Sequence, residues 1–345
     1  MHAKTDRLWL EQYDGSESDQ DTAVPGVAEN RRKKVYDSIV GLLPGPDNPT
    51  PLVRVSDRFN PEPGYDLLVK LEGLNPFGSV KDRAAYYMLQ GTQLSPDQTL
   101  VEPTAGNTGI ALAALANAQG TPIEIAVPDG TPEEKKSLLR FLGVELLEIE
   151  DELCPLFPTE GARGVVKSMV ESEAYNGLYV SPNQYESEFN VEAHYCTTGP
   201  EIWRQTEGRV RYFFAGIGTG GTITGVGRYL KEQNSDIQII GIEPATRQHQ
   251  LSGLKRITGL ADEHFPKLVD LSVIDDIISV TDEDAFKAGI RLARTDGIMV
   301  GPTTGAALHA ALQNGSDTSG VAVVISPDDA VRYGSAYARF LANSG

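Results

Sequence analysis

Short apolar runs alternate with segments of helical period along most of this chain. The strand-like runs are Leu67–Glu72, Thr99–Glu102, Glu124–Val127, Glu145–Glu150, Leu178–Val180, Val210–Ala215, Gln238–Ile242, Asp276–Val280 and Val321–Ile325. Most are rich in Val, Ile and Leu, the pattern of strands covered on both faces. The helices between them have readable ends. Thr131-Pro132-Glu133-Glu134 reads as a helix start with Pro at the first helical position and a capping-box Glu, and Gly143 follows that helix. Ser79-Val80-Lys81-Asp82 reads as a second capped start. Ile110–Ala118 is apolar nearly all round, which predicts a buried helix. This alternation predicts an α/β protein with largely parallel sheets and helices on both faces. So many strands exceed a typical open sheet, so a second sheet is expected.

The first 45 residues break the pattern. They hold an acidic run, Gly15–Asp21, and a basic cluster, Arg31-Arg32-Lys33-Lys34, read as a solvated arm. The Pro-rich stretch 42–51 reads as a turn or linker into the main body. With 345 residues the chain suits about two domains and needs no disulfide or metal staple. Its net charge of −18 repels phosphate backbones and anionic lipid, so neither nucleic acid nor a membrane surface is an expected partner. Cys154 and Cys196 make no C-x-x-C pair and read as free thiols of a reducing compartment. No apolar signal segment opens the chain and no run is long enough to span a bilayer, so a soluble cytoplasmic protein is expected. The five histidines, including His2, show no ligand spacing, and no metal site is expected.

Four segments carry candidate chemistry. In the first, an apolar strand ending at Ala215 runs into Gly216-Ile217-Gly218-Thr219-Gly220-Gly221-Thr222 and then into an amphipathic helix. A glycine-rich turn at a helix N-terminus gathers backbone N–H groups around an anion, so a phosphate is its expected ligand. Gly216, Gly218 and Gly221 also satisfy the dinucleotide fingerprint, and Glu243 lies at the end of the next strand, which keeps an NAD-dependent dehydrogenase as a rival. In the second, Lys81 falls in the first turn of a helix, where the helix dipole disfavours a cation. A lowered amine pKa suits a Schiff-base nucleophile. In the third, Thr104-Ala105-Gly106-Asn107-Thr108 leads into the buried helix and offers hydroxyls, an amide and free N–H groups to a carboxylate. In the fourth, strand-like Ile298–Val300 meets Pro302-Thr303-Thr304-Gly305; the threonines either cap a helix or turn their hydroxyls toward a ring nitrogen. Asp328-Asp329 after the last strand reads as a solvated loop end rather than a paired-acid site.

Taken together, NPFGSVKDR around Lys81, EPTAGNTGIALA, GIGTGGT and GPTTGAALHAAL stand in the order and spacing of the fold-type II pyridoxal-phosphate enzymes. They resemble the cysteine synthase and cystathionine β-synthase branch, as does 179–203 through Gln184, Asn190 and His194. The resemblance spans about residues 45 to 340. It implies two three-layer αβα domains with mostly parallel twisted sheets, as in the tryptophan synthase β fold. It also implies a homodimer. An N-terminal extension would occupy 1–45, a smaller mobile domain 85–185, and a larger domain 46–84 with 186–345.

By resemblance, Lys81 would be joined to the cofactor, pyridoxal 5'-phosphate, and would exchange protons at the substrate Cα. Gly218, Thr219, Gly220, Gly221 and Thr222 would hold its phosphate, Asn107 its phenolic oxygen, and Thr303 would face its ring nitrogen. Thr104, Ala105, Gly106, Thr108 and Gln184 would bind the substrate carboxylate. A neutral hydroxyl at the ring nitrogen favours β-elimination over transamination. The implied reaction is β-replacement on O-acetylserine or O-phosphoserine by sulfide or another thiol, giving L-cysteine. Cystathionine β-synthase and a diaminopropionate-type synthase are the alternatives within the branch. Ala105 replaces a usual Ser, Ser187-Glu188 a common Asn-Pro, and Pro302 a usual Ile. Lys255 and Arg256 lie where a phosphoserine-using branch carries a basic residue, so they are candidate readers of a phosphate leaving group.

Overall fold

In the computed structural model, which describes residues 35–150, 160–315 and 319–343, ten strands form two separate sheets. The acidic run 15–21, the cluster 31–34, His2 and Cys154 lie outside the described residues. In chain order the elements are β1 (Leu52–Arg54), β2 (Tyr65–Leu71), α1 (Lys81–Gly91), β3 (Thr99–Pro103), α2 (Asn107–Gln119), β4 (Ile123–Pro128), α3 (Glu133–Phe141), β5 (Glu145–Ile149), α4 (Gly161–Glu171) and β6 (Tyr179–Val180). There follow α5 (Glu188–Ala193), a π-helical turn (His194–Thr198), α6 (Gly199–Gln205), β7 (Val210–Gly216), α7 (Gly221–Gln233), β8 (Gln238–Pro244), β9 (Asp276–Val280), α8 (Asp282–Asp296), α9 (Pro302–Gly315), β10 (Gly320–Ser326) and α10 (Gly334–Asn343).

The larger sheet has the order β1-β2-β10-β7-β8-β9 and the smaller β5-β4-β3-β6. Every pairing is parallel except β1 with β2. Helices cover both faces of each sheet, which is why the strands read as continuous apolar runs. Beneath one face of the larger sheet, Leu292 of α8 and Ala306, Ala307, Ala310 and Ala311 of α9 pack on Phe214, Ile242 and Val324. On the other face, Ile202 of α6 and Val226 and Leu230 of α7 pack on Phe213, Ile239 and Val323. In the smaller sheet, Leu112, Leu115 and Ala116 of α2 bury Ile123 and Ile125, while Val166 and Met169 of α4 bury Val101 and Ala126.

All nine expected strands are present, and the expected second sheet with them. The unanticipated β1 is a three-residue edge strand, paired antiparallel to β2 just after Pro51. The Pro-rich stretch turns at Gly45–Asn48, whose backbone groups bond each other in both directions. Four local expectations need correction. Ile298–Val300 forms no strand; Val300 is buried in the core and the chain passes straight into α9. Pro132 is the N-cap of α3 rather than its first helical residue, and no side chain caps that helix. Thr303 and Thr304 lie inside the first turn of α9, and neither caps it; Thr304 Oγ1 donates to Ser326 Oγ at 3.0 Å. At α1 the N-cap is Val80 rather than Ser79, and no side chain caps that helix; Ser79 Oγ, one residue earlier, accepts from the Lys81 N–H at 3.2 Å.

Candidate active site

A cavity of about 820 Å³ opens beyond the carboxyl ends of strands from both sheets. Parallel α/β sheets commonly place ligands there. Its walls are the 103–108 turn after β3, the 215–222 turn after β7, the 325–328 segment after β10, and Lys81 at the start of α1. Lys81, Thr104, Ala105, Gly106, Asn107, Thr108, Gln184, Gly218, Thr219, Gly220, Thr222, Lys255 and Thr303 all line it. Two sequence candidates do not. Gly221 is buried behind the wall against Asn190. Arg256 turns away, donating to the carbonyls of Pro244 and Ala245 and sitting 3.8 Å from Glu243.

The glycine turn is built for backbone approach. Gly220 has φ +100, and a Cβ there would crowd Val269 N at 2.8 Å. A Cβ on Gly218 would collide with Gly253 O, and one on Gly221 with Asn190 Oδ1. The first N–H groups of α7 have no intrahelical partners, and Gly220 and Thr222 at its start line the cavity. Asn190 braces this turn from behind, donating to Gln184 O at 2.8 Å and to Thr219 Oγ1 at 3.1 Å. His194 stands beside it, with Nε2 3.2 Å from Thr222 Oγ1 and Nδ1 2.9 Å from Thr198 Oγ1. Burial, aided by the charges of Lys81 and Arg83, pushes the His194 pKa down to about 3, so the ring is neutral.

Thr108 Oγ1 donates to Gln184 Oε1 at 2.6 Å, which points the Gln184 amide nitrogen away from that contact. The Gln184 loop is fixed by buried Glu102, which accepts from Ser181 Oγ and from the Asn183 and Gln184 N–H groups at 2.9 to 3.0 Å. Thr303 Oγ1 donates to Ser252 O at 3.0 Å. Burial pushes the Lys81 ammonium below its usual range, opposed by Asp328, Glu72 and Asp82. The direction agrees with the sequence; desolvation rather than the helix dipole is the leading cause.

Several site residues were invisible in the sequence. Asp328 is buried, not solvated: Tyr333 OH donates to its Oδ2 at 2.6 Å and Asn107 Nδ2 at 2.7 Å. Lys135 of α3 reaches the cavity, and so do Arg163 and Tyr185, whose ring lies 4.2 Å from the Arg163 guanidinium and 4.5 Å from Lys255 Nζ. Glu243, the acid of the dehydrogenase reading, is engaged elsewhere. It accepts from the Ile257 and Thr258 N–H groups at 2.9 and 3.0 Å and from Ser279 Oγ at 2.8 Å, leaving no carboxylate for a ribose.

Below α1 lies a closed charge cluster. Arg83 bonds Glu72 at 2.7 Å and Glu201 at 2.8 Å, and Lys70 bonds Glu201 at 2.6 Å. All four side chains are fully buried. Burial alone would raise Glu72, but Arg83 and Lys70 hold its carboxyl at about 2.

The donor set fits pyridoxal phosphate: a cradle that a Cβ would fill for the phosphate, a buried amine of lowered pKa for the aldehyde, and an amide and a hydroxyl beside them. A family model described as pyridoxal-phosphate dependent enzyme matches residues 44–328. The cysteine synthase of Aquifex aeolicus is 40% identical over 321 residues, covering 90% of this chain and 94% of that protein. Cysteine synthase B of Salmonella typhimurium is 38% identical over 279 residues, covering 80% and 88%. The crystal structure of a cysteine synthase from Entamoeba histolytica matches with a TM-score of 0.76 at 31% identity, over 88% of this chain and 90% of that one.

Proposed function

This chain belongs to the pyridoxal-phosphate dependent enzymes, and from that premise we propose that it is a cysteine synthase. It makes L-cysteine by β-replacement on O-acetylserine or O-phosphoserine with sulfide as nucleophile. The observation that carries this reading is the meeting of Lys81, the 218–222 cradle and the Thr108–Gln184 pair in one cavity.

Gly218, Thr219, Gly220 and Thr222 would hold the cofactor phosphate, with Gly221 packed behind them; Asn107 would donate to its ring oxygen, and Thr303 would face its ring nitrogen. When bound, pyridoxal phosphate supplies an aldehyde that condenses with amines and a ring that draws electrons from the substrate Cα. Thr104, Ala105, Gly106 and Thr108 receive the substrate carboxylate on hydroxyl and backbone N–H groups, with the Gln184 amide nitrogen completing the pocket. Lys81 takes the Cα proton and later returns it. The Cβ–O bond breaks, acetate or phosphate leaves, and a Cβ–S bond forms to hydrosulfide. Lys255 lies beside the cavity to meet an anionic leaving group. Residues 85–185 form the smaller lobe, which closes over bound substrate and excludes water.

The same reading takes the chain as a cytoplasmic homodimer, in keeping with its charge of −18 and the family resemblance. No helix among the described residues is long and apolar enough to cross a membrane. The test is direct. Purified holoenzyme is mixed with each serine donor and sulfide, and cysteine is assayed while the visible spectrum is followed. Release of cysteine with one donor names it; absence of cysteine with both overturns the assignment.

A further inference from the structure

Asn107 carries the first side chain of α2, on the smaller sheet, yet both ends of its amide are held by residues that follow β10 of the larger sheet. Its Nδ2 donates to Asp328 Oδ2 at 2.7 Å, and its Oδ1 accepts from Arg332 Nη1 at 3.2 Å. We propose that Asp328 and Arg332 are positioning residues that lock the flip of the Asn107 amide, so that its second N–H is aimed in advance at the cofactor. The inference rests on the functional reading above, in which Asn107 donates to the ring oxygen of pyridoxal phosphate.

The chemistry of the two partners makes the lock one-sided. A guanidinium can only donate, so it must meet the amide oxygen. Asp328 Oδ2 is an acceptor for the Asn107 N–H whether or not the carboxyl is protonated, because a carboxyl O–H keeps lone pairs and can turn its proton to the Tyr333 hydroxyl. A reversed amide would set NH2 against guanidinium and carbonyl against carboxylate, leaving two half-buried mismatches. Each partner is itself fixed. Arg332 Nη2 also donates to Phe77 O, and Asp328 Oδ2 also accepts from Tyr333 OH at 2.6 Å. Asp328 is 3% exposed, so water does not compete for Oδ2. With one amide hydrogen committed to Asp328, the other remains for the cavity that Asn107 shares with Lys81. A donor oriented before binding costs no reorganisation when the ligand arrives.

The test is a double-mutant cycle on the holoenzyme, read as the cofactor dissociation constant and the visible spectrum without substrate. Asp328→Ala is expected to weaken cofactor retention about tenfold and to move the absorption band, whereas adding it to Asn107→Ala is expected to change retention less than about twofold. An equal loss in both backgrounds, or no loss in the wild-type background, overturns the inference. Melting of the cofactor-free variants reports whether they fold. Should Asp328→Ala fail to fold, Arg332→Ala, which removes the donor to Asn107 Oδ1, replaces it in the cycle, and an equal loss in both backgrounds overturns the lock. Wild-type protein that takes up no pyridoxal phosphate on Lys81 fails the functional reading itself; normal wild-type uptake with no coupling between positions 328 and 107 fails this inference alone.

Discussion

Lys81 and Lys135 enter the same cavity from the first turns of two helices, and burial pushes both ammonium groups down against one and the same leading counter-charge, Asp328. Two amines thus compete for an aldehyde on protonation grounds. Lys81 is the better placed, because its helix is tied to the end of β10 by the Val80 N–H on Pro327 O at 2.7 Å. Borohydride reduction of the holoenzyme followed by peptide mass analysis is expected to find the adduct on Lys81 alone. Lys81→Ala should abolish it and Lys135→Ala should retain it; an adduct on the Lys135 peptide would reverse the assignment.

Lys255 and Arg256 are adjacent in sequence but differ in their surroundings. Lys255 lines the cavity, while the Arg256 guanidinium is spent on Pro244, Ala245 and Glu243. With O-phosphoserine as donor, Lys255→Ala is expected to raise KM about tenfold, against less than about twofold for O-acetylserine. Arg256→Ala should lower stability without changing the ratio between the donors. Steady-state kinetics with both donors checks this.

His194 is neutral in the fold but charges when the chain unfolds, because burial holds its native pKa at about 3 against 6.5. Its contribution is complete above pH 6.5 and is lost as the pH falls toward the native value, at about 2 kcal/mol between pH 7 and pH 5. Asp82 works in the other direction. Burial raises its carboxyl to about 7, so the folded chain holds a proton that the unfolded chain has released, and stability gains as the pH falls toward 4. Denaturant melts of wild type and His194→Gln separate the two, since the variant should lack only the acid-side loss. Parallel pH profiles for both proteins would remove His194 from this role.

Arg83→Met strips the guanidinium from Glu72 and Glu201, which have no solvent to fall back on. The expected loss is about 3–5 kcal/mol by chemical denaturation, far above that of an exposed pair.

Gly221→Ala pushes a methyl group into Asn190 Oδ1, whose amide braces Gln184 O and Thr219 Oγ1. One added carbon is therefore expected to speed cofactor loss about tenfold and to raise substrate KM as well. Unchanged cofactor retention would mean that the cradle relaxes freely.

The strands and the buried α2 were legible because they depend on local periodicity: Val321–Ile325 and Ile110–Ala118 carry their burial in their own composition. The glycine turn was legible because its backbone demands show in the residue types, and Lys81 through its place in a helix's first turn and the family resemblance. Asp328 was not. A carboxylate after a strand reads as solvated, and only Tyr333, Arg332 and a helix more than two hundred residues away convert it into a buried acceptor. Lys135 was hidden likewise, since nothing in an EEKK run tells which lysine turns inward; Lys136 instead pairs with Glu148 across α3 and β5. The three-residue β1 is too short to show a period.

The quartet under α1 has one more consequence, which concerns dissolved electrolyte. Surface pairs such as Arg54–Asp66 and Lys287–Glu283 are roughly half exposed or more, and at molar salt, where screening acts over about 3 Å, they fade. Lys70, Glu72, Arg83 and Glu201 balance to zero among themselves and are fully enclosed, so mobile ions cannot reach them. The footing of α1 and of Lys81 at its start should therefore hold as firmly in brine as in dilute buffer.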